Sequence, residues 1–122
     1  MKYISFAIPC YNSEAYMTHA IESILPGGED VEIIIVNDGS KDNTSRIGHE
    51  YAEKYPDIIK VIDKENGGHG DAVNSGLAAA SGKYFKVVDS DDRVKEESLH
   101  RILQVLRGFE EEGQQVDMLI AN

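Results

Sequence analysis

The chain has 122 residues, the size of one domain, and 41% of them are hydrophobic, enough for a real core rather than a disordered chain. Lysines and arginines number 12 against 22 aspartates and glutamates, and the net charge of −10 excludes nucleic acid or an anionic membrane surface as the main partner. A polyphosphate stays open as a ligand if a divalent cation stands between it and the carboxylates, and the single cysteine, Cys10, cannot form an internal disulfide.

Residues 2–8 (KYISFAI) read as a buried strand that Pro9 stops. A helix follows, capped by Asn12 or Ser13, with Met17, Ala20, Ile21 and Ile24 on one face at i, i+3, i+4 and i+7. Pro26-Gly27-Gly28 ends it. VEIIIV (31–36) is rich in β-branched residues, as befits a strand covered on both faces. After the Asn37-Asp38-Gly39-Ser40 turn comes a helix carrying Ile47, Tyr51 and Tyr55. IIKVI (58–62) is a third strand, and Gly67-Gly68-His69-Gly70 leads into a short helix over 71–80. A fourth strand covers 84–88. The longest helix covers 96–112, with Leu99, Ile102, Leu103, Leu106 and Phe109 on one face, and VDMLI (116–120) reads as a fifth strand.

Strands separated by helices predict crossover connections and a mostly parallel sheet, hence a three-layer α/β/α sandwich. The polar, Gly- or Asp-bearing segments all follow strands. In open α/β sheets that edge holds ligands. Tyr11-Asn12, Asp38-Gly39-Ser40, 66–71 and 89–92 are therefore expected around one pocket.

Within that pocket the run Asp89-Ser90-Asp91-Asp92 is the sharpest feature. Residues two apart on extended backbone point the same way, so Asp89 and Asp91 can face one ligand. Converging carboxylates stay ionised cheaply only around a cation, and oxygen ligands suit Mg²⁺ or Mn²⁺. The competing reading is an acidic turn that caps the next helix. Asp38 can accept from a uracil imide or a ribose hydroxyl, or it merely precedes a turn capped by Ser40 or Asp42. The loop ENGGHGDAVNSG offers backbone N–H groups at a helix start, where an anion is favoured. It lacks the Gly-Lys-Ser/Thr of a phosphate loop, and G-x-G-x-x-G is absent from the first turn. His69 can touch a ligand there or remain a solvated loop side chain. His19, His49 and His100 fall on predicted helices without metal-ligand spacing, and Cys10 has no His-Asp partnership beside it.

In order, these segments resemble the family 2 glycosyltransferases of the GT-A, Rossmann-like fold. The matching motifs are Pro9-Cys10-Tyr11-Asn12 followed by Glu14, then Val36–Ser40 with Asp42 and Thr44. Next come Asn66-Gly67-Gly68, Asn74-Ser75-Gly76-Leu77, Ala80–Tyr84 and Asp89–Asp92. The resemblance implies transfer of a sugar from a nucleotide-activated donor, usually a UDP-sugar, to an acceptor hydroxyl with inversion. It implies that Pro9 and Tyr11 line the base pocket, that Asp38 contacts the base, and that Asp89 reaches ribose or metal. Asp91 is expected to hold Mn²⁺ or Mg²⁺, with Asp89 as its companion ligand. Asn12, Glu14, Gly68, His69 and Ser90 join the same nucleotide-sugar site.

Two departures accompany the resemblance. Ala72-Val73-Asn74 stands where the family often has Ala-Arg-Asn, so a basic contact is missing or comes from His69 or Lys41. The family's catalytic carboxylate lies beyond the Asp-x-Asp loop. No base is assigned here, and one is expected beyond Asn122. Residues 1–122 thus read as the donor-binding portion of a truncated domain, without its acceptor half, inactive alone and open to self-association through uncovered sheet surface. No apolar run approaches the roughly 18 residues of a spanning helix. A cytoplasmic setting is expected, with membrane attachment of the full-length protein left open. A phosphoacceptor receiver domain, the main rival, would need paired acids at the end of the first strand, where Ala7-Ile8-Pro9-Cys10 stands. A nucleotidyltransferase would want a Gly-rich basic loop there. A non-catalytic nucleotide-binding module is the remaining alternative.

Overall fold

Strands β1 (Ile4–Cys10), β2 (Val31–Asp38), β3 (Ile59–Lys64), β4 (Tyr84–Val87) and β5 (Ile120–Ala121) form one sheet in the order β3-β2-β1-β4-β5. Every pairing is parallel. Helices α1 (Met17–Ile24), α2 (Thr44–Lys54), α3 (His69–Ala79) and α4 (Glu96–Glu111) connect them. This computed structural model describes residues 2–111 and 120–121, with the side chains of 109–111 and 120–121 left aside. Residues 116–119 of the expected fifth strand, and the Phe109 side chain expected on the α4 face, lie outside what is described.

The α/β class expected from the alternation holds. All eight residues of β2 are buried, as a central strand covered on both faces requires. Alternate side chains of β1 and β2, including Phe6, Ile8, Ile33 and Ile35, meet the buried faces of α1 and α4. The α1 stripe is the expected Met17, Ala20, Ile21 and Ile24, and on α4 it is Leu99, Leu103 and Leu106. Ile47, Tyr51 and Tyr55 pack on the same cluster. The opposite face carries Ile34 and Val36 under α3, where Ala72 is buried. There a Cβ on Gly76 would come within 2.7 Å of the Ala7 Cβ, so glycine lets α3 lie close against β1.

Three local expectations are corrected. Pro9 does not stop β1, which runs on to Cys10 beside Val36 and Asn37. The Ala7 carbonyl accepts from Val88 N–H, so the backbone of Pro9, two residues on, also faces β4. Pro9 therefore removes a bond to β4 and leaves the β1–β2 ladder whole. Neither Asn12 nor Ser13 caps α1 with its side chain; the cap position is Tyr16, and the Ser13 carbonyl accepts from Tyr16 and Met17 N–H. Finally, α3 begins at His69, two residues before the expected start, with Gly68 at its cap.

A buried polar cluster ties the sheet together at the amino-terminal ends of its strands. Glu32 is 8% exposed, yet its carboxylate accepts from Ser5 Oγ (2.8 Å), Ser81 N–H (2.9 Å) and Ser81 Oγ (2.8 Å). Lys60 Nζ stands 3.1 Å away. Burial works to raise the Glu32 pKa, but these donors outweigh it and hold the carboxyl below its ordinary value.

Candidate functional site

The strand order reverses between β1 and β4: the chain steps from β1 outward to β2 and β3, then returns to the other side of β1. Such a reversal opens a crevice at the carboxyl ends of the strands. Two adjoining cavities occupy it. One, of about 280 Å³, is lined by Pro9, Cys10, Tyr11, Asp38, Asn66, Gly68, His69 and Ala72. The other, of about 510 Å³, is lined by Pro9, Tyr11, Ser13, Tyr16, His69, Asp89, Ser90 and Asp91. Pro9, Tyr11 and His69 form their common wall.

Asp38 closes the β2 end of the first cavity. It is 4% exposed, and it accepts from Lys64 Nζ (2.9 Å), Gly67 N–H (2.8 Å) and Gly68 N–H (3.0 Å). Burial alone would raise its pKa, but the Gly67, Lys64 and Gly68 donors prevail and keep the carboxyl ionised below its usual range. Gly39, at φ 70°, makes the turn after Asp38, and a Cβ there would meet the Asn66 backbone nitrogen at 2.7 Å. Only glycine fits that approach.

The motif side chains around Asp38 mostly hold loops in place. Asn37 Nδ2 donates to Asp63 (2.9 Å) while its Oδ1 accepts from Ser40 N–H (3.1 Å). Ser40 Oγ accepts from Asn12 N–H (2.9 Å), and Asn12 Oδ1 accepts from Lys41 N–H (2.8 Å). Asn12 itself sits at φ 49°, a conformation asparagine tolerates. Asp42 accepts from Thr44 N–H and from Glu14 N–H, and Thr44 Oγ1 accepts from Ser13 N–H. Asn12 and Glu14, expected in the site, line neither cavity: Asn12 braces the β1 loop, and the Glu14 carboxylate accepts from Asn43 Nδ2 (3.0 Å).

The Asp89–Asp92 segment is a turn rather than extended backbone, because Asp92 N–H donates to the Asp89 carbonyl at 2.9 Å. Asp89 and Asp91 nevertheless share the second cavity, with Ser90 between them bonded through its hydroxyl to Ser13 Oγ (2.7 Å). Asp92 faces a separate hollow with Tyr16, His19, Asp91 and Arg93. His69 Nε2 lies 4.0 Å from Asp89 Oδ1, so it bridges both cavities, whereas Lys41 lines neither. Of the two basic candidates, His69 is the one the crevice contains.

Among the described residues, no three His, Cys, Asp or Glu side chains converge as an ion cage. Asp89 and Asp91 are exposed, oxygen-only donors in an open cavity. That set fits Mg²⁺ or Mn²⁺, which take one or two carboxylates and complete their shell with water and substrate phosphates. Cys10 is excluded as a nucleophile: burial pushes its thiol up to about 12, against a smaller opposing effect of Ser13.

The family model for glycosyl transferase family 2 matches residues 5–114. This chain belongs to glycosyl transferase family 2. It is 41% identical over 118 residues to the minor teichoic acid biosynthesis protein GgaB of Bacillus subtilis, covering 94% of this chain and 13% of GgaB. The glycosyltransferase GlyG of Streptococcus pneumoniae is 38% identical, over 83% of this chain and 34% of GlyG. Among solved structures, S. aureus TarS 1-349 in complex with UDP-GlcNAc superposes with a TM-score of 0.75 at 32% identity, covering 90% of this chain and 32% of that one. The family 2 chain therefore has the expected GT-A fold and spans about a third or less of the length of these relatives. The receiver-domain alternative falls with this assignment.

Lys64 and Asp71, absent from the sequence-derived site residues, line neither cavity, but Lys64 pairs with Asp38 and Asp71 pairs with Lys64. The signal was present: Lys64 ends β3 level with Asp38 at the end of β2, so one register step places an acid beside a base.

Proposed function

We propose that residues 1–122 are the donor-binding portion of an inverting, metal-assisted glycosyltransferase that uses a nucleotide-activated sugar, with UDP as the nucleotide. One observation carries the reading. Asp38 and the Asp89–Asp91 pair lie in adjoining cavities that share Pro9, Tyr11 and His69. A base and a diphosphate are separated by a ribose, and two joined compartments suit that division. The base enters the Asp38 cavity, where Tyr11 and Pro9 offer flat apolar surface and Asp38 accepts a ring N–H. The diphosphate lies toward Asp89 and Asp91, with His69 beside it.

Asp89 and Asp91 would hold the divalent cation, which when bound stabilises charge on the departing nucleoside diphosphate. The chain's own contribution is positioning: the Ser13–Ser90 hydrogen bond fixes the acidic turn against the β1 loop. The base that takes the acceptor proton is sought outside these residues. The acceptor class we favour is a cell-wall polymer, supported by the name of GgaB. A reducing, cytoplasmic setting accords with the free and buried Cys10. Calorimetric titration of the chain with UDP, with and without Mn²⁺ or Mg²⁺, tests the reading. Metal-dependent UDP binding is expected; equal affinity in both conditions refutes metal assistance, and no binding in either refutes the donor site.

A further inference from the structure

The side chain of Lys64 is only 17% exposed, and the donor reading alone gives it no task. Its Nζ lies 2.9 Å from Asp38 Oδ1 and 2.5 Å from Asp71 Oδ2, and it donates to the Glu65 carbonyl at 2.6 Å. Three donors meet three acceptors, so the ammonium is fully engaged. The consequence falls on Asp38. Oδ1 accepts from both Lys64 and Gly67, while Oδ2 accepts from Gly68 alone. A carboxylate has roughly four acceptor positions, which leaves one, on Oδ2. Asp38 lines the first cavity, so that position is what a ligand meets.

We propose that Lys64 is a positioning residue that reserves Asp38 for a single hydrogen-bond donor and thereby sets which nucleobase the cavity accepts. The inference rests on the donor-site reading above. With Oδ1 saturated, Asp38 cannot turn to suit a different edge. Uracil, thymine and guanine present a ring N–H to the free position. Cytosine and adenine present a lone pair at the corresponding ring nitrogen, which an ionised carboxylate repels. Asp71 lines neither cavity and supports Lys64 from the far side. The ionised state this requires matches the lowered pKa of Asp38.

Titrations of the chain with UDP and CDP in Mn²⁺ test this, comparing wild type, Lys64→Met and Asp71→Asn. The wild type is expected to prefer UDP by roughly 10- to 100-fold, the worth of one desolvated, unmatched polar group. Lys64→Met should lose most of that preference, and Asp71→Asn, which leaves the Lys64–Asp38 contact, should keep it. Without any nucleotide, the Asp38 carboxyl carbon followed by NMR should titrate at higher pH in Lys64→Met than in the wild type, because one of the donors that lower its pKa is gone. An unchanged UDP-to-CDP ratio or an unmoved Asp38 titration in Lys64→Met overturns the inference alone. Equal loss of preference in Asp71→Asn also overturns it, because the role is then loop support. Failure of the wild type to bind either nucleotide overturns the donor site and the selection together.

Discussion

Glu32 allows the fold to be perturbed without touching the crevice. It lies at the opposite ends of the strands, where four donors converge on its carboxylate. In Glu32→Ala these donors fare differently. Lys60 is 43% exposed and already donates to the Ala79 carbonyl, so it can turn to water at little cost. Ser81 is exposed and can be rehydrated. Ser5 cannot: it is fully buried, and although its Oγ still accepts from Gly82 N–H, its own hydrogen loses its acceptor. Leaving that donor unsatisfied costs about 1–3 kcal/mol. The lost methylenes and charge-assisted bonds bring the total to about 3 kcal/mol, the lower end for breaking a buried ion pair. For a domain of this size the midpoint of thermal unfolding should fall by about 10 °C. Urea and thermal unfolding followed by circular dichroism measure the loss, and calorimetry at a temperature where the variant is folded measures UDP affinity. A loss below about 1 kcal/mol would show that the cluster does not hold the sheet. Loss of UDP binding by the folded variant would show that the two strand ends are not independent.

Two further outcomes are expected. Asp91 is exposed, so Asp91→Ala should leave the unfolding midpoint within about 2 °C while removing the metal dependence of UDP binding; retained metal dependence would place the ion elsewhere. The carboxyls of Glu32, Asp38, Asp42 and Asp63 each face a burial effect that raises the pKa, outweighed by hydrogen bonds that lower it. Groups depressed in the folded state contribute stability above their unfolded pKa values and lose it as pH falls through their folded ones. Unfolding midpoints should therefore decline progressively below about pH 4, and stability that stays level between pH 5 and 3 would contradict the hydrogen-bond assignment.

The strands and helices were legible because each keeps one period: VEIIIV continuous and β-branched, and Met17, Ala20, Ile21 and Ile24 at helical spacing. The crevice was legible because alternation puts every post-strand segment on one edge. What stayed hidden depends on contacts between segments distant in sequence. Pro9 reads as a stop until the strand order shows which neighbour its missing N–H would have met. Asn12 and Glu14 read as ligand contacts because they sit in a ligand motif, yet their partners are Ser40, Lys41, Asp42 and Asn43 across the neighbouring loop. Asp38 reads as a ligand contact or a turn residue, and its three donors come from Lys64 at the end of β3 and from Gly67 and Gly68 in the loop that follows. Local pattern reports what a residue prefers, whereas these roles are set by what the fold brings alongside.

The register sets Ala7 beside Val87, so Pro9 is level with Asp89. An amide hydrogen at position 9 would point at the Val88 carbonyl and could carry the ladder one rung further, drawing Asp89 into line with the sheet. The pyrrolidine ring acts as a zip stop. The two backbones part at that height, and an acidic turn that a longer ladder would stitch shut is left standing open to solvent.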